Sequence, residues 1–79
     1  MDELIREVLV QHGRLGVDVT RLGDQADLYE AGLTSHSSVN VMLGLEDAFD
    51  VEFPERLLRK STFASVSSIR TALGELSTP

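Results

Sequence analysis

No cysteine occurs in the sequence. That excludes a disulfide framework, a thiolate nucleophile and a cysteine-based zinc site, so any thiol chemistry has to come from an added group. Cations are scarce as well, with seven Lys and Arg against thirteen Asp and Glu and a formal net charge of −6. A chain of that sign repels nucleic acid phosphates and favours partners with basic docking surfaces, so nucleic acid is not an expected partner. No apolar run approaches the roughly 20 residues that span a bilayer, and Met1-Asp2-Glu3 lacks the basic start of a secretory signal. The expectation is a cytoplasmic protein with no membrane partner. The two histidines, His12 and His36, lie far apart, and no carboxylate pair falls in a plausible cleft. Neither a metal site nor an enzyme is expected.

What is present is a balanced globular composition, 42% hydrophobic and 25% charged over 79 residues. That reads as one small folded domain over residues 1–79, without room for a deep active site. A first helix is expected from Asp2 to about Leu15, with Leu4, Ile5, Val8, Leu9 and His12 on one face and Gly13 and Gly16 ending it. His12 reads as a half-buried edge residue. Residues 16–34 form a long connection, pinned by Leu22, Leu28, Tyr29 and Leu33, in which Asp24 and Asp27 cap a short turn over Ala26 to Glu30. Its aspartates do not make an EF-hand, because the loop glycine and the twelfth-position glutamate are missing.

A second helix is expected over Ser35 to Phe49, burying Ser38, Val41, Met42, Leu45 and Phe49. Val39 and Leu43 lie beside that stripe and either widen the core face or form a docking ridge, flanked by Asn40, Glu46 and Asp47. Gly44 is either a site of close approach or a tolerated defect. Val51 to Pro54 is extended before proline, anchored by Val51 and Phe53. A short third helix over Glu55 to Arg59 or Lys60 packs through Leu57 and Leu58, and its Arg56, Arg59 and Lys60 read as a solvated end. Phe63 plugs the core. A last helix from about Ser65 carries Val66, Ile69, Leu73 and Leu76, and residues 77–79 fray. The sum is an all-α, small four-helix bundle of three longer helices and one short third helix.

The stretch around which this chain is organised is Gly32-Leu33-Thr34-Ser35-His36-Ser37-Ser38-Val39. It places Ser35 on the first turn of the second helix, exposed, where free N–H groups and the helix dipole favour a phosphodiester. The same groups make Ser a common cap, so the position alone leaves an ordinary cap open. Ser35-His36 is not a catalytic pair, because successive helical residues point in different directions.

Asp27-Leu28-Tyr29-Glu30-Ala31-Gly32-Leu33-Thr34-Ser35, then Val39, Leu43 and Leu45 to Pro54, resembles the acyl and peptidyl carrier proteins from about residue 22 to the C-terminus. The resemblance implies a bundle of the acyl-carrier-protein type, with 4'-phosphopantetheine from coenzyme A attached to the serine three residues after the glycine, here Ser35. Ser37 and Ser38 compete for that role, and the Gly-x-x-Ser register selects Ser35. Thr34 stands where the family usually has Asp, and His36 where it usually has Leu. Both positions lie next to the modifying enzyme in the family, which implies either poor handling by general phosphopantetheinyl transferases or the need for a matched one.

Thr-Ser-His-x-Ser-Val looks like a group of stand-alone aminoacyl carriers loaded by ligases that resemble class II aminoacyl-tRNA synthetases. The resemblance therefore implies a monomeric carrier of a small amino acid such as glycine or alanine. Its implied partners are the transferase, an amino acid:carrier protein ligase and a downstream acceptor enzyme, with Thr34, His36, Val39, Asn40, Leu43, Glu46 and Asp47 as the docking set. Acyl carriage for fatty acid or polyketide synthesis, with an acyl-loading enzyme, is the alternative within the family. A non-covalent acidic helical adaptor, with Ser35 a plain cap, is the alternative outside it.

Overall fold

The computed structural model describes residues 2–77. Three α-helices carry the fold: α1 (Asp2–Val8), α2 (Ser35–Phe49) and α3 (Val66–Ser77). The described residues form no strand. The apolar residues of all three helices meet in one core, with Ile5, Leu9, Leu28, Val41, Leu45, Val66, Ile69 and Leu73 fully buried. Leu33, Phe53 and Phe63 complete it from the connections. Phe53 and Phe63 pack tilted, with ring centroids 5.5 Å apart.

The expected first helix changes pitch rather than running on to Leu15. After Val8 the chain continues as a π-helical turn, Leu9–Gly13, and leaves through Arg14 in the left-handed region at φ 52°. Gly13 ends the coil as expected, but it is buried, and the non-glycine after it makes the turn. The short third helix is shorter than expected and is split into two 3₁₀ turns, Glu55–Leu57 and Lys60–Phe63. Leu57 is buried, whereas Leu58, expected to pack with it, is 47% exposed. Leu57 ends the first turn, whereas Leu58 falls in the link between the two, outside helical backbone, so the consecutive leucines part company. The expected fraying at the C-terminus concerns Thr78 and Pro79, which lie outside the described residues, and Ser77, which closes α3.

The long connection is pinned as expected by Leu28 and Leu33, and also by Val19, on a 3₁₀ turn over Val19–Arg21 that the sequence pattern did not reveal. Leu22 and Tyr29 pack against the core while remaining half-buried. Asp27 caps its turn, its carboxylate accepting from the Tyr29 and Glu30 N–H groups at 2.9 and 3.4 Å. Asp24 has another use. Its two carboxylate oxygens accept from Arg6 at 2.9 Å and from Arg70 at 3.2 Å, and Arg70 also bonds Asp2 at 2.6 Å. Arg6 further donates to the carbonyls of Val19 and Leu22. One small ionic network thus ties α1, the connection and α3 together.

α1 and its π turn lie close against α2, and Gly44 is the reason they can. A Cβ built on Gly44 would stand 2.6 Å from His12 Cδ2 and 2.9 Å from Val8 Cγ1, inside any normal contact. The mid-helix glycine is therefore a site of close approach, made by the first helix. His12, half-buried, fills the space that the missing side chain leaves.

A candidate attachment site at the start of helix α2

Gly32 sets the entry to α2. It adopts φ +123°, a conformation L side chains rarely take, and a Cβ there would lie 3.1 Å from the Gly16 nitrogen. A glycine three residues before Ser35 is thus a steric need of this turn. Leu33 follows as a buried plug, and Thr34 is the N-cap.

Four hydroxyls crowd the next positions, and the structure gives them different tasks. Thr34 Oγ1 accepts from the Ser37 N–H at 3.0 Å, and Ser37 Oγ accepts from the Thr34 N–H at 2.9 Å. This reciprocal capping box buries Ser37. Ser38 is half-buried, and its hydroxyl donates to the Ser35 carbonyl at 2.8 Å. Ser37 thus takes the buried place expected for Ser38, because a box residue must fold back onto the helix start. Ser35 is exposed, and its hydroxyl bonds to no described residue. The start of α3 repeats the same box with Ser65 and Ser68, but the residue there in the place of Ser35 is Val66, fully buried.

Two stripes run along α2. Ser37, Val41 and Leu45 are buried, and Ser35, Val39 and Leu43 are exposed. Residues two apart on a helix differ by about 200° in direction, so these stripes face nearly opposite ways. Val39 and Leu43 are 51% and 53% exposed, which decides against their widening the core and leaves an apolar ridge in line with Ser35. Met42 and Phe49 are only partly buried.

The other docking candidates divide. His36 and Asp47 are exposed and Asn40 is half-buried. Thr34 is exposed, but its hydroxyl is held in the box. Glu46 is half-buried, and its Oε2 accepts from the Phe53 N–H at 2.7 Å, anchoring the extended segment after the helix.

Beside Ser35 lies an open groove of about 280 Å³, lined by Ser38, Val39 and Met42 of α2, by Tyr29, and by Leu58, Arg59, Lys60 and Phe63. Sequence reasoning missed this wall. Its only signal was the basic cluster, which read as a solvated helix end. Lys60 Nζ sits 4.7 Å from the centre of the Tyr29 ring, joining the two sides of the groove. Burial raises the Tyr29 phenol above its ordinary value, with the Ser38 hydroxyl opposing. An exposed serine without a bonding partner, at a rigid helix start and beside a part-apolar groove, fits a covalently attached flexible arm.

Fold and site together place an exposed serine hydroxyl at the capped start of a helix, beside an open groove. Residues 3–72 match the family of the phosphopantetheine attachment site, and the chain belongs to that family. Its cofactor is covalent 4'-phosphopantetheine. It is 51% identical over 69 residues to an aminoacyl carrier protein of Agrobacterium fabrum, covering 87% of this chain and 83% of that protein.

Two complexes extend the likeness to solved structures. One is an engineered Bradyrhizobium japonicum glycine:carrier protein ligase with a carrier protein from Agrobacterium tumefaciens and AMP. A chain in it superposes with TM-score 0.91 at 47% identity, covering 94% of this chain and 99% of that one. The other is the B. japonicum ligase with glycylated carrier protein, where a chain superposes with TM-score 0.74 at 32% identity, over 90% of this chain and 95% of that one.

Proposed function

We propose that Ser35 bears the phosphopantetheine and that the protein carries an aminoacyl group, glycine or alanine, between a ligase that loads it and an acceptor enzyme. The observation that carries this reading is the division of labour among the hydroxyls: Ser37 is buried in the capping box, Ser38 is bonded back onto the helix, and Ser35 is exposed in line with Val39 and Leu43. The arm supplies the thiol that a cysteine-free chain lacks, and holds its cargo as a thioester. The chain's own residues do no bond chemistry on the cargo. Thr34 and Ser37 hold the first turn rigid, so that Ser35 is presented in one place to each enzyme in turn.

Docking falls to His36, Val39, Asn40, Leu43 and Asp47, with the apolar pair supplying contact area and Asp47 meeting a basic residue of a partner. The likeness to chains solved with a glycine:carrier protein ligase supports the same class of partner, and the open shape of the groove suits a small cargo. Among the described residues no helix is long and apolar enough to cross a membrane, and the carrier is read as a monomer working in the cytoplasm.

The test is intact mass and peptide mapping after incubation with coenzyme A, magnesium and a phosphopantetheinyl transferase. The loading step follows with ATP, glycine or alanine, and a glycine:carrier protein ligase. One phosphopantetheine mapped to Ser35, absent from Ser35→Ala and followed by a glycyl or alanyl adduct, is the expected outcome. Addition at another residue, or loading only with fatty acyl groups, overturns it.

A further inference from the structure

The turn that ends the first coil is strained at a residue ill suited to it. Arg14 adopts φ 52° and ψ 43°, in the left-handed region that favours glycine. Among the described residues the other non-glycine with positive φ is Asp50, and a short polar side chain tolerates that region better than arginine does. A glycine stands one place earlier, where it is not needed: a Cβ on Gly13 would meet only ordinary contacts, the nearest being Val41 Cγ2 at 3.5 Å. Strain kept at such a position points to a side chain with a task. Arg14 is exposed and has no ion pair among the described residues. The acids of the connection that follows are engaged elsewhere, Asp18 with Thr20, Asp24 with Arg6 and Arg70, and Asp27 with the N–H groups of its own turn. Three residues beyond Arg14, Val17 is 48% exposed.

This turn lies at the Ser35 end of the molecule. The Gly16 N–H donates to the Ala31 carbonyl at 3.2 Å, a Cβ on Gly13 would stand 3.7 Å from Leu33 Cδ1, and Gly32 backs directly onto Gly16. Residues 13–16 are thus seated against residues 31–33, which lead straight into the Thr34 cap. Leu15 packs on the core, so Arg14 and Val17 flank an anchored point and are displayed in a fixed place. We propose that Arg14 and Val17 form a second docking point for the ligase that loads the carrier, receiving a carboxylate and an apolar side chain from the rim of its cleft. This rests on Ser35 being the attachment residue. Such a ligase reaches the thiol by admitting the arm into a cleft whose mouth surrounds Ser35, so its rim falls on the segments bordering the helix start, and residues 14–17 are one of them. Charge sets the chemistry of that rim. The chain carries a net charge of −6, and an unpaired cation at this corner calls for an acid on the partner. Contacts of opposite sign, Asp47 on α2 and Arg14 on the turn, fix the register in which the two proteins meet.

The experiment uses carrier modified to completion, as shown by intact mass, with ATP, glycine and a glycine:carrier protein ligase, and reads KM for the carrier and kcat separately. R14Q is expected to raise KM roughly fivefold with kcat unchanged, and to flatten the rise of KM with salt that the wild type shows. R14K keeps the charge and most of the wild-type KM. V17S raises KM without altering its salt dependence. R14G separates docking from folding: relief of the left-handed turn leaves its urea midpoint equal to or above that of the wild type, while its KM rises as in R14Q. An unchanged ligase KM in R14Q and R14G, whether or not the transferase is slowed, overturns the proposal and leaves the carrier reading intact. So does a KM that rises only in variants whose urea midpoint falls, since that marks Arg14 as part of the fold. Failure of the wild-type mass to increase overturns the carrier reading, and this proposal with it.

Discussion

Ser35 and Ser37 are chemically identical and lie on the same helical turn, yet only one is available for reaction. The difference is the 200° of rotation between them, which turns Ser37 back onto the Thr34 backbone and leaves Ser35 in solvent. Ser37→Ala removes a buried capping-box partner and is expected to cost about 1 kcal/mol in urea unfolding. Phosphopantetheine addition to Ser35, read by mass, is expected to persist in that variant. The loss of addition in Ser37→Ala with a folded protein would place the attachment elsewhere. At this scale the sequence spacing was informative about Ser35, because exposure along a helix follows its period, but it left Val39 and Leu43 open between core and ridge until their exposure decided it. It put Ser38 rather than Ser37 in the buried place, because the choice between them is decided by a hydrogen bond to the cap rather than by period or hydropathy.

The three helices contain two interior glycines with opposite meanings. Gly74 in α3 has nothing within 4 Å of where a Cβ would stand, whereas Gly44 in α2 faces Val8 and His12. Gly74→Ala is expected to stabilise the protein by up to about 1 kcal/mol through helix propensity. Gly44→Ala gains the same propensity but forces α1 away from α2, and a net loss of roughly 1–2 kcal/mol is expected. Paired chemical denaturation curves check both signs.

Glu46 shows a second ambiguity at this scale, since a carboxylate on the recognition side of α2 is also the acceptor for the Phe53 N–H. Glu46→Ala is expected to lower stability by about 1.5 kcal/mol, as for a lost bond to a charged group. Asp47→Asn should leave stability unchanged, so that its effect on ligase binding, measured by calorimetry, reports docking alone. Helix α2 was legible to the residue at both ends, having a hydroxyl cap before it and a clean apolar stripe. The π turn after Val8 and the 3₁₀ pair were not, since both are set by how neighbouring elements pack.

Across the whole molecule, the network of Asp2, Arg6, Asp24 and Arg70 joins segments that are far apart in the chain. No sequence period announces such a pairing, and it was invisible beforehand. Hydrogen bonds from Arg70 and then Arg6 hold the Asp24 carboxyl below its ordinary value of 3.8. A depressed carboxyl stabilises the fold above its unfolded value, and that stabilisation is lost as pH falls through the folded value. The melting temperature is therefore expected to drop below about pH 4, and Asp24→Asn to flatten that part of the profile. Asp18, lowered by Thr20, contributes in the same direction and supplies the residual slope.

The long connection is bonded in two places to the region that opens α3: the Leu28 N–H to the Ala64 carbonyl at 2.7 Å, and the Ser67 N–H to the Asp24 carbonyl at 2.9 Å. Those partners lie well beyond helix α2 in the chain, so each bond closes a long loop and carries the entropy cost of doing so. Tyr29, one wall of the groove, belongs to that connection. In time, then, helix α2, whose bonds are local, is expected to form before the groove beside it, whose wall waits on those long closures.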